Sequence, residues 1–297
     1  MRRREFKKYM RHIIVFLLVF IMMSTTNIFL GANGNIALID EGVCGENLTW
    51  TLDEAGCLIV KGTGRMWDMR KDENADYDNW MGTGLDVVEY DCPWEDYKDE
   101  IKTVILSSGV TSVGESAFKD CINLTNVEFS DTLTAIEVTA FYKCKSLQNF
   151  VLPKKLVYIG QQAFEGCETL TSVELPGSVS YVMGQVFNEC TALSYLYAKG
   201  TTEIVTRTIY SSSPFGYMPK LEKIEVADNH QFWKSIDGVL YSKNGQELVE
   251  YPAGKKDSIY TVPAGTIKMG QCAFEKANAL EMVVLPEGLL ELGHSVF

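Results

Sequence analysis

The chain has 297 residues, 46% of them apolar and 22% charged, with a formal charge of −12. That balance excludes both a disordered chain and a polytopic membrane protein, and the length suits one large domain or two ordinary ones. Residues 1–12 carry six basic side chains (Arg2, Arg3, Arg4, Lys7, Lys8, Arg11) and one acid, Glu5, so the remainder stands at −17 and repels phosphate backbones; nucleic acid is excluded as a partner. Three histidines leave little for metal or general-base chemistry.

Behind the basic start, Ile13 to Met23 forms an uncharged apolar run of 11 residues, followed by small and polar residues at Ser24–Asn27 and Gly31–Asn33. The run is short for a bilayer span and has the flanks of a secretory signal, so residues 1–33 are expected to direct export; counted on to Leu30, the segment would serve as an uncleaved anchor. A secreted or cell-surface location follows, with membrane contact only through a retained signal.

Residues 34–100 contain LTWTLDEAGCLIVKGTGRM (48–66), in which Val60 to Gly64 reads as a strand running into a turn. Twelve acids and three bases then lie between Asp68 and Glu100. The alternation Asp72, Asn74, Asp76, Asp78 offers oxygens, yet Tyr77 stands where an EF-hand loop needs glycine and Thr83 where it needs glutamate, so the stretch is expected to be a solvated acidic loop.

From Ile101 onward a repeat of 23 residues organises the chain. Phe118, Phe141, Phe164 and Phe187 are spaced by 23, and so are Cys121, Cys144, Cys167 and Cys190. Apolar residues hold fixed offsets: Val104, Val127, Phe150, Val173; Leu106, Phe129, Leu152, Leu175; Val110, Leu133, Leu156, Val179; and Val113, Ile136, Ile159, Val182. Each unit opens with period-two alternation, a short strand with one buried face, and closes it at Ser107, Ser130, Pro153 or Pro176, since proline cannot donate to a ladder. The later Ala-Phe pair fits a turn or short helical return plugged into the core. No unit can bury its apolar face alone, so the units must stack, and residues 34–100 are expected to cap the open end with β structure.

The unit from Leu193 runs 28 residues, with Phe215 and Met218 in the Phe and Cys places. An insert at about 236–256 follows, in which Val239–Ser242 and Glu247–Tyr251 flank Asn244-Gly245, a hairpin signal because both turn residues tolerate positive φ. Regular spacing returns with Val262, Pro263, Met269, Ala273 and Phe274, then Leu280, Val283, Leu285, Pro286 and Leu289. Phe297 lies 23 residues after Phe274, in mid-repeat, an arrangement expected of a truncated last repeat in a longer array.

The period falls in the leucine-rich-repeat range. The pattern Lxx(V/I)x(L/F)P…(I/V)G…AFxxC resembles the BspA-type leucine-rich repeats of bacterial and some protist surface proteins, over about residues 101–297. The segment from Cys44-Gly45 to Pro93-Trp94 is similar to the one that leads into such repeats, and the insert is similar to one met in that family. Val186 departs from the pattern before Phe187, and Ala277 takes a Cys place. The resemblance implies a β-rich leucine-rich-repeat solenoid, of short parallel strands with turn or short-helix returns, that binds host extracellular-matrix or neighbouring-cell surface proteins.

The repeated cysteines share one core-facing column, where a thiol packs as a small apolar group; free buried thiols are expected, although turns about 4.8 Å apart would permit a bond. Cys44, Cys57 and Cys92 offer one disulfide in an oxidising compartment. The sequence has no GxSxG, HExxH, P-loop or CxxC, and His230 reads as a surface or turn residue; no catalysis, cofactor or metal is expected. If offsets three and five of each unit face the core, offsets two and four face outward and build a ligand face: Asn126 and Glu128, Asn149 and Val151, Ser172 and Glu174, Tyr195 and Tyr197, Lys223 and Glu225. The paired tyrosines suit a contact centre, and they also simply suit a strand. The expected function is non-catalytic protein binding or adhesion at the cell surface; the alternative is a targeting module of a larger secreted or wall-anchored protein, with further domains beyond residue 297.

Overall fold

The computed structural model describes residues 37–69, 92–200, 203–205 and 215–297. The export segment, the acidic run from Asp72 to Asp78 and most of the extra residues before Phe215 lie outside them. Among the described residues there is no α-helix, only a three-residue 3-10 turn at Glu95–Tyr97, and no helix long and apolar enough to cross a membrane.

Each turn of the solenoid has three sides. The first carries the period-two strand. Leu38–Gly45, Leu48–Asp53 and Cys57–Gly62 form an antiparallel meander, onto which Thr103–Leu106 and then Asn126–Glu128 add in parallel. After a gap the same side resumes with Ser172–Leu175, Tyr195–Ala198 and Lys223–Val226, again parallel and in register. The burial follows the pleat: Val173 and Leu175 point inward while Glu174 points out.

The second side is a continuous parallel sheet of Gly64–Arg65, Val110–Val113, Ala135–Ile136, Tyr158–Ile159, Tyr181–Met183 and Glu203–Val205. Its inward residues are the fourth apolar column, Val113, Ile136, Ile159 and Val182, all fully buried. The third side returns by turns, with no helix. There the amide of each core Phe donates to the next turn: Phe118 N to Ala140 O at 2.8 Å, Phe141 N to Ala163 O at 2.8 Å, Phe164 N to Val186 O at 3.0 Å. To aim these amides along the stack the chain adopts positive φ twice per repeat, at Ser116, Thr139, Gln162 and Gln185 and again at Asp120, Lys143, Gly166 and Glu189. Only Gly166 takes that conformation without a Cβ cost, so elsewhere the inter-turn hydrogen bonds and the Phe burial offset local strain.

The core is a spine of aromatic rings. Phe118, Phe141, Phe164 and Phe187 stack in sequence at centroid distances of 5.3, 5.3 and 5.9 Å. Trp94 extends the stack by one ring, 5.2 Å from Phe118, donates its indole N–H to Ala117 O at 2.7 Å, and meets the edge of Trp50 at 5.6 Å. Beside the spine the thiols of Cys144, Cys167 and Cys190 donate to the carbonyls of Phe118, Phe141 and Phe164, each one turn back, at 3.0, 3.5 and 3.2 Å. Burial pushes these thiols up, Cys190 to about 12, which keeps them protonated as donors.

The insert holds three antiparallel strands, Trp233–Ile236, Val239–Ser242 and Glu247–Glu250. The first hairpin turns at Asp237-Gly238, where φ is +51° and +76°, the paired positive values of a two-residue hairpin turn. At Asn244-Gly245 only Gly245 has positive φ, so the tighter turn is the one the sequence reading passed over. Glu247–Glu250 then pairs in parallel with Lys268–Met269, and that with Glu291–Leu292. Tyr251, Phe274 and Phe297 stack at 5.2 and 5.4 Å, a second spine with tyrosine in the first Phe place.

Candidate functional site

The outward face of the first side is divided in two. Ser172, Tyr195 and Lys223 lie in one cross-strand row and Glu174, Tyr197 and Glu225 in the next, so six of the ten expected ligand-face residues form one contiguous array. Its charges are paired internally. Tyr195 donates its hydroxyl to Glu225 Oε2 at 2.7 Å, Lys223 Nζ lies 2.9 Å from Glu225 Oε1 and 5.0 Å from the centre of the Tyr195 ring, and Lys199 pairs with Glu174 while sitting 5.7 Å over Tyr197. Lys223 and then Tyr195 hold the Glu225 carboxyl below its usual range. Desolvation, reinforced by Glu225, raises the Tyr195 hydroxyl to about 12. The array therefore offers two half-exposed tyrosine rings framed by neutralised pairs, a surface suited to aromatic and hydrogen-bonded contact and poor in net charge.

The insert adds a wall that the sequence reading did not assign. An open cleft of about 640 Å³ runs from Tyr197 and Glu225 to Ser235, Asp237, Lys255 and Lys256. Lys255 is held by Asp237 and Asp257, at 3.8 and 3.3 Å, whereas Lys256 forms no ion pair among the described residues. The Asp237-Gly238 dipeptide was the signal available for this wall, since such a pair between apolar runs marks a hairpin.

The other four residues lie apart. Asn126 and Glu128 sit on the strand that ends the first sheet segment, and Asn149 and Val151 fall in a row with no strand at all. Asn149 is engaged locally: its Oδ1 accepts the amides of Thr171 and Ser172 at 2.9 and 3.1 Å, standing in for a backbone carbonyl. Val151 is 87% exposed.

His230 is a turn residue but not a surface one. It is fully buried, and its Nδ1 accepts the amides of Phe232 and Trp233 at 3.3 and 3.1 Å, which fixes the start of the insert. Burial, with Lys243 nearby, lowers its pKa and keeps it neutral. Glu137, 2.8 Å from Arg65, and Glu165 are raised by burial. Among the described residues no His, Cys, Asp and Glu side chains group as metal ligands.

The solenoid is a leucine-rich-repeat fold with parallel sheet on two of its sides. Residues 96–216 match the BspA type leucine rich repeat region in six copies, and the chain carries BspA-type leucine-rich repeats. A leucine-rich repeat protein from Eubacterium ventriosum is 27% identical, with a TM-score of 0.73 over 88% of this chain; the chain spans 63% of that protein. A leucine rich cell surface protein from Faecalibacterium prausnitzii, 20% identical with a TM-score of 0.51 over 90% of this chain and 75% of its own, shares the fold. So does the pneumococcal vaccine antigen PcpA, 19% identical with a TM-score of 0.57 over 87% of this chain and 66% of its own. No curated protein matches the chain. Repeats of this kind are protein-binding repeats.

Proposed function

We propose that the protein is an exported, non-catalytic recognition protein that adheres to extracellular-matrix or neighbouring-cell surface proteins through the outward face of the first sheet. The observation that carries this is the six-residue array centred on Tyr195 and Tyr197, whose rings are ordered by cation-π contacts and ion pairs before any partner arrives. Export is supported by the basic and apolar segment within residues 1–33 and by the cell-surface description of the Faecalibacterium prausnitzii protein. In this reading residues 34–100 cap the array, residues 101–297 form it, and the insert at about 236–256 walls the contact face.

Solid-phase binding of the purified protein to matrix proteins and to intact host cells tests this. Saturable binding that weakens about tenfold or more in Y195A/Y197A is expected, as for the aromatic centre of an interface. Absence of binding to every surface presented, or binding indifferent to both tyrosines, would refute the assignment. The second reading, a targeting module within a larger protein, is favoured by the 63% of the Eubacterium ventriosum protein that this chain spans, and it uses the same face.

A further inference from the structure

The gap in the first side, at residues 149–152, has a physical cause and leaves a specific surface. Where other turns place Val104, Val127 and Val173, this one places Phe150, and the preceding turn places Phe129 where Leu106, Leu152 and Leu175 stand. The two rings meet edge-on at 5.6 Å, and Phe150 also stacks on Phe164 at 4.8 Å. Accommodating them pushes this row out of the ladder. Phe150, Val151 and Leu152 make no backbone hydrogen bond to either neighbouring turn, and the ladder is bridged by the Asn149 side chain.

The result is a groove of about 620 Å³ with an apolar floor of Phe129, Phe150 and Val151. Both phenylalanines are only half-buried, unlike the valines and leucines of the equivalent columns. On one bank stand Lys154 and Lys155, both exposed and in no ion pair among the described residues; on the other are Glu128 and Asp131, the latter accepting from Ser108 at 2.9 Å. In the tyrosine half of this face Lys199 is neutralised by Glu174 and Lys223 by Glu225. Two adjacent unpaired cations therefore stand out on a body of charge −17.

We propose that this groove docks an extended segment of a partner protein, one that alternates apolar and acidic residues. Its apolar side chain would cover Phe129, Phe150 and Val151, and its carboxylate would meet Lys154 and Lys155. The proposal rests on the sheet-face reading above and supplies the partner chemistry for the half of that face without tyrosines.

The test uses two fluorescein-labelled ten-residue peptides, one alternating valine with glutamate and one alternating valine with lysine, against the full chain. The glutamate peptide is expected to bind, to shift the amide resonances of Phe150, Val151 and Leu152, and to weaken about tenfold in K154E/K155E, which should then prefer the lysine peptide. V151D, at an exposed position that leaves the core intact, should also weaken it. No binding of the glutamate peptide, binding undiminished in K154E/K155E, or resonance shifts confined to other rows would overturn the proposal. Peptide binding lost in Y195A/Y197A and kept in K154E/K155E would overturn it while leaving the sheet-face assignment standing. Matrix binding that fails while the peptide result holds would do the reverse.

Discussion

The turns from Phe118 to Phe187 and those from Tyr251 to Phe297 share one period and one backbone path but solve the core differently. In the first block the spine is phenylalanine capped by an indole, every ring is fully buried, and thiols close the carbonyls of the preceding turn. In the second block the stack opens with Tyr251, no thiol ladder runs beside it, and the interior is stitched by a hydroxyl pair, Tyr241 to Tyr260 at 2.7 Å. Phe297 at its end is 70% exposed. A fixed period thus specifies where a side chain sits, while the energy gained there depends on whether a neighbour covers both of its faces.

The largest test of that contrast is the removal of one ring from each stack. Phe141 lies between Phe118 and Phe164, so F141A leaves a cavity that stacked turns on both sides cannot close; a loss of about 3–5 kcal/mol is expected. Phe274 stacks on Tyr251 on one side and on Phe297, itself 70% exposed, on the other, so F274A should cost less, about 3 kcal/mol, because fewer buried groups surround the ring. Urea unfolding of both variants measures the difference. Equal losses would show that the terminal turns are as tightly held as the central ones.

A smaller effect separates hydroxyl stitching from ring burial. Burial, and then the bond to Tyr260, push the Tyr241 hydroxyl far above its ordinary pKa, so both groups are neutral and each depends on the other. Y241F leaves the Tyr260 oxygen buried without this partner and should cost about 1–2 kcal/mol, whereas Y241F/Y260F should recover most of it, since removing both partners leaves no orphan. If the double variant loses the sum of the two singles, the pair is not acting as a pair.

Much of the first block was legible in the sequence, because Phe and Cys recur together at 23 and every apolar column it names is buried there, Phe129 and Phe150 excepted. The second parallel sheet was visible only as a column: strands such as Ala135–Ile136 are two residues long, too short for alternation to register. Trp94 was hidden by its spacing of 24 from Phe118, one more than the period. Tyr251 does lie 23 before Phe274, but reading it as the end of a hairpin strand concealed its place in the spine. The broken row was illegible for a different reason. Phe150 is as apolar as valine in a hydrophobic pattern, and only its volume, acting with Phe129 one turn earlier, forces the strand out. Of the ligand face, the tyrosine array follows from alternation, while the cleft wall required knowing how the insert packs.

The seam between the two blocks gives the smallest and most conditional prediction. His230 fixes the start of the insert by accepting two amides at Nδ1, which only the neutral ring with its proton on Nε2 can do. Its folded pKa is lowered by burial and then by Lys243, while in the unfolded chain it titrates near about 6.5. The unfolded state therefore binds the proton first. Stability from this residue is complete above about pH 6.5 and declines as pH falls towards the folded pKa, at no more than about 1.4 kcal/mol per pH unit. Glu137 and Glu165 have the opposite sign: their raised pKa values favour the folded state on acidification, so the raw pH profile mixes the terms. Subtracting the profile of H230N, which keeps an acceptor and cannot be protonated there, isolates the histidine. Parallel profiles for the two proteins between pH 7 and pH 5 would mean that His230 is protonated in place and that the insert is held by its strands alone.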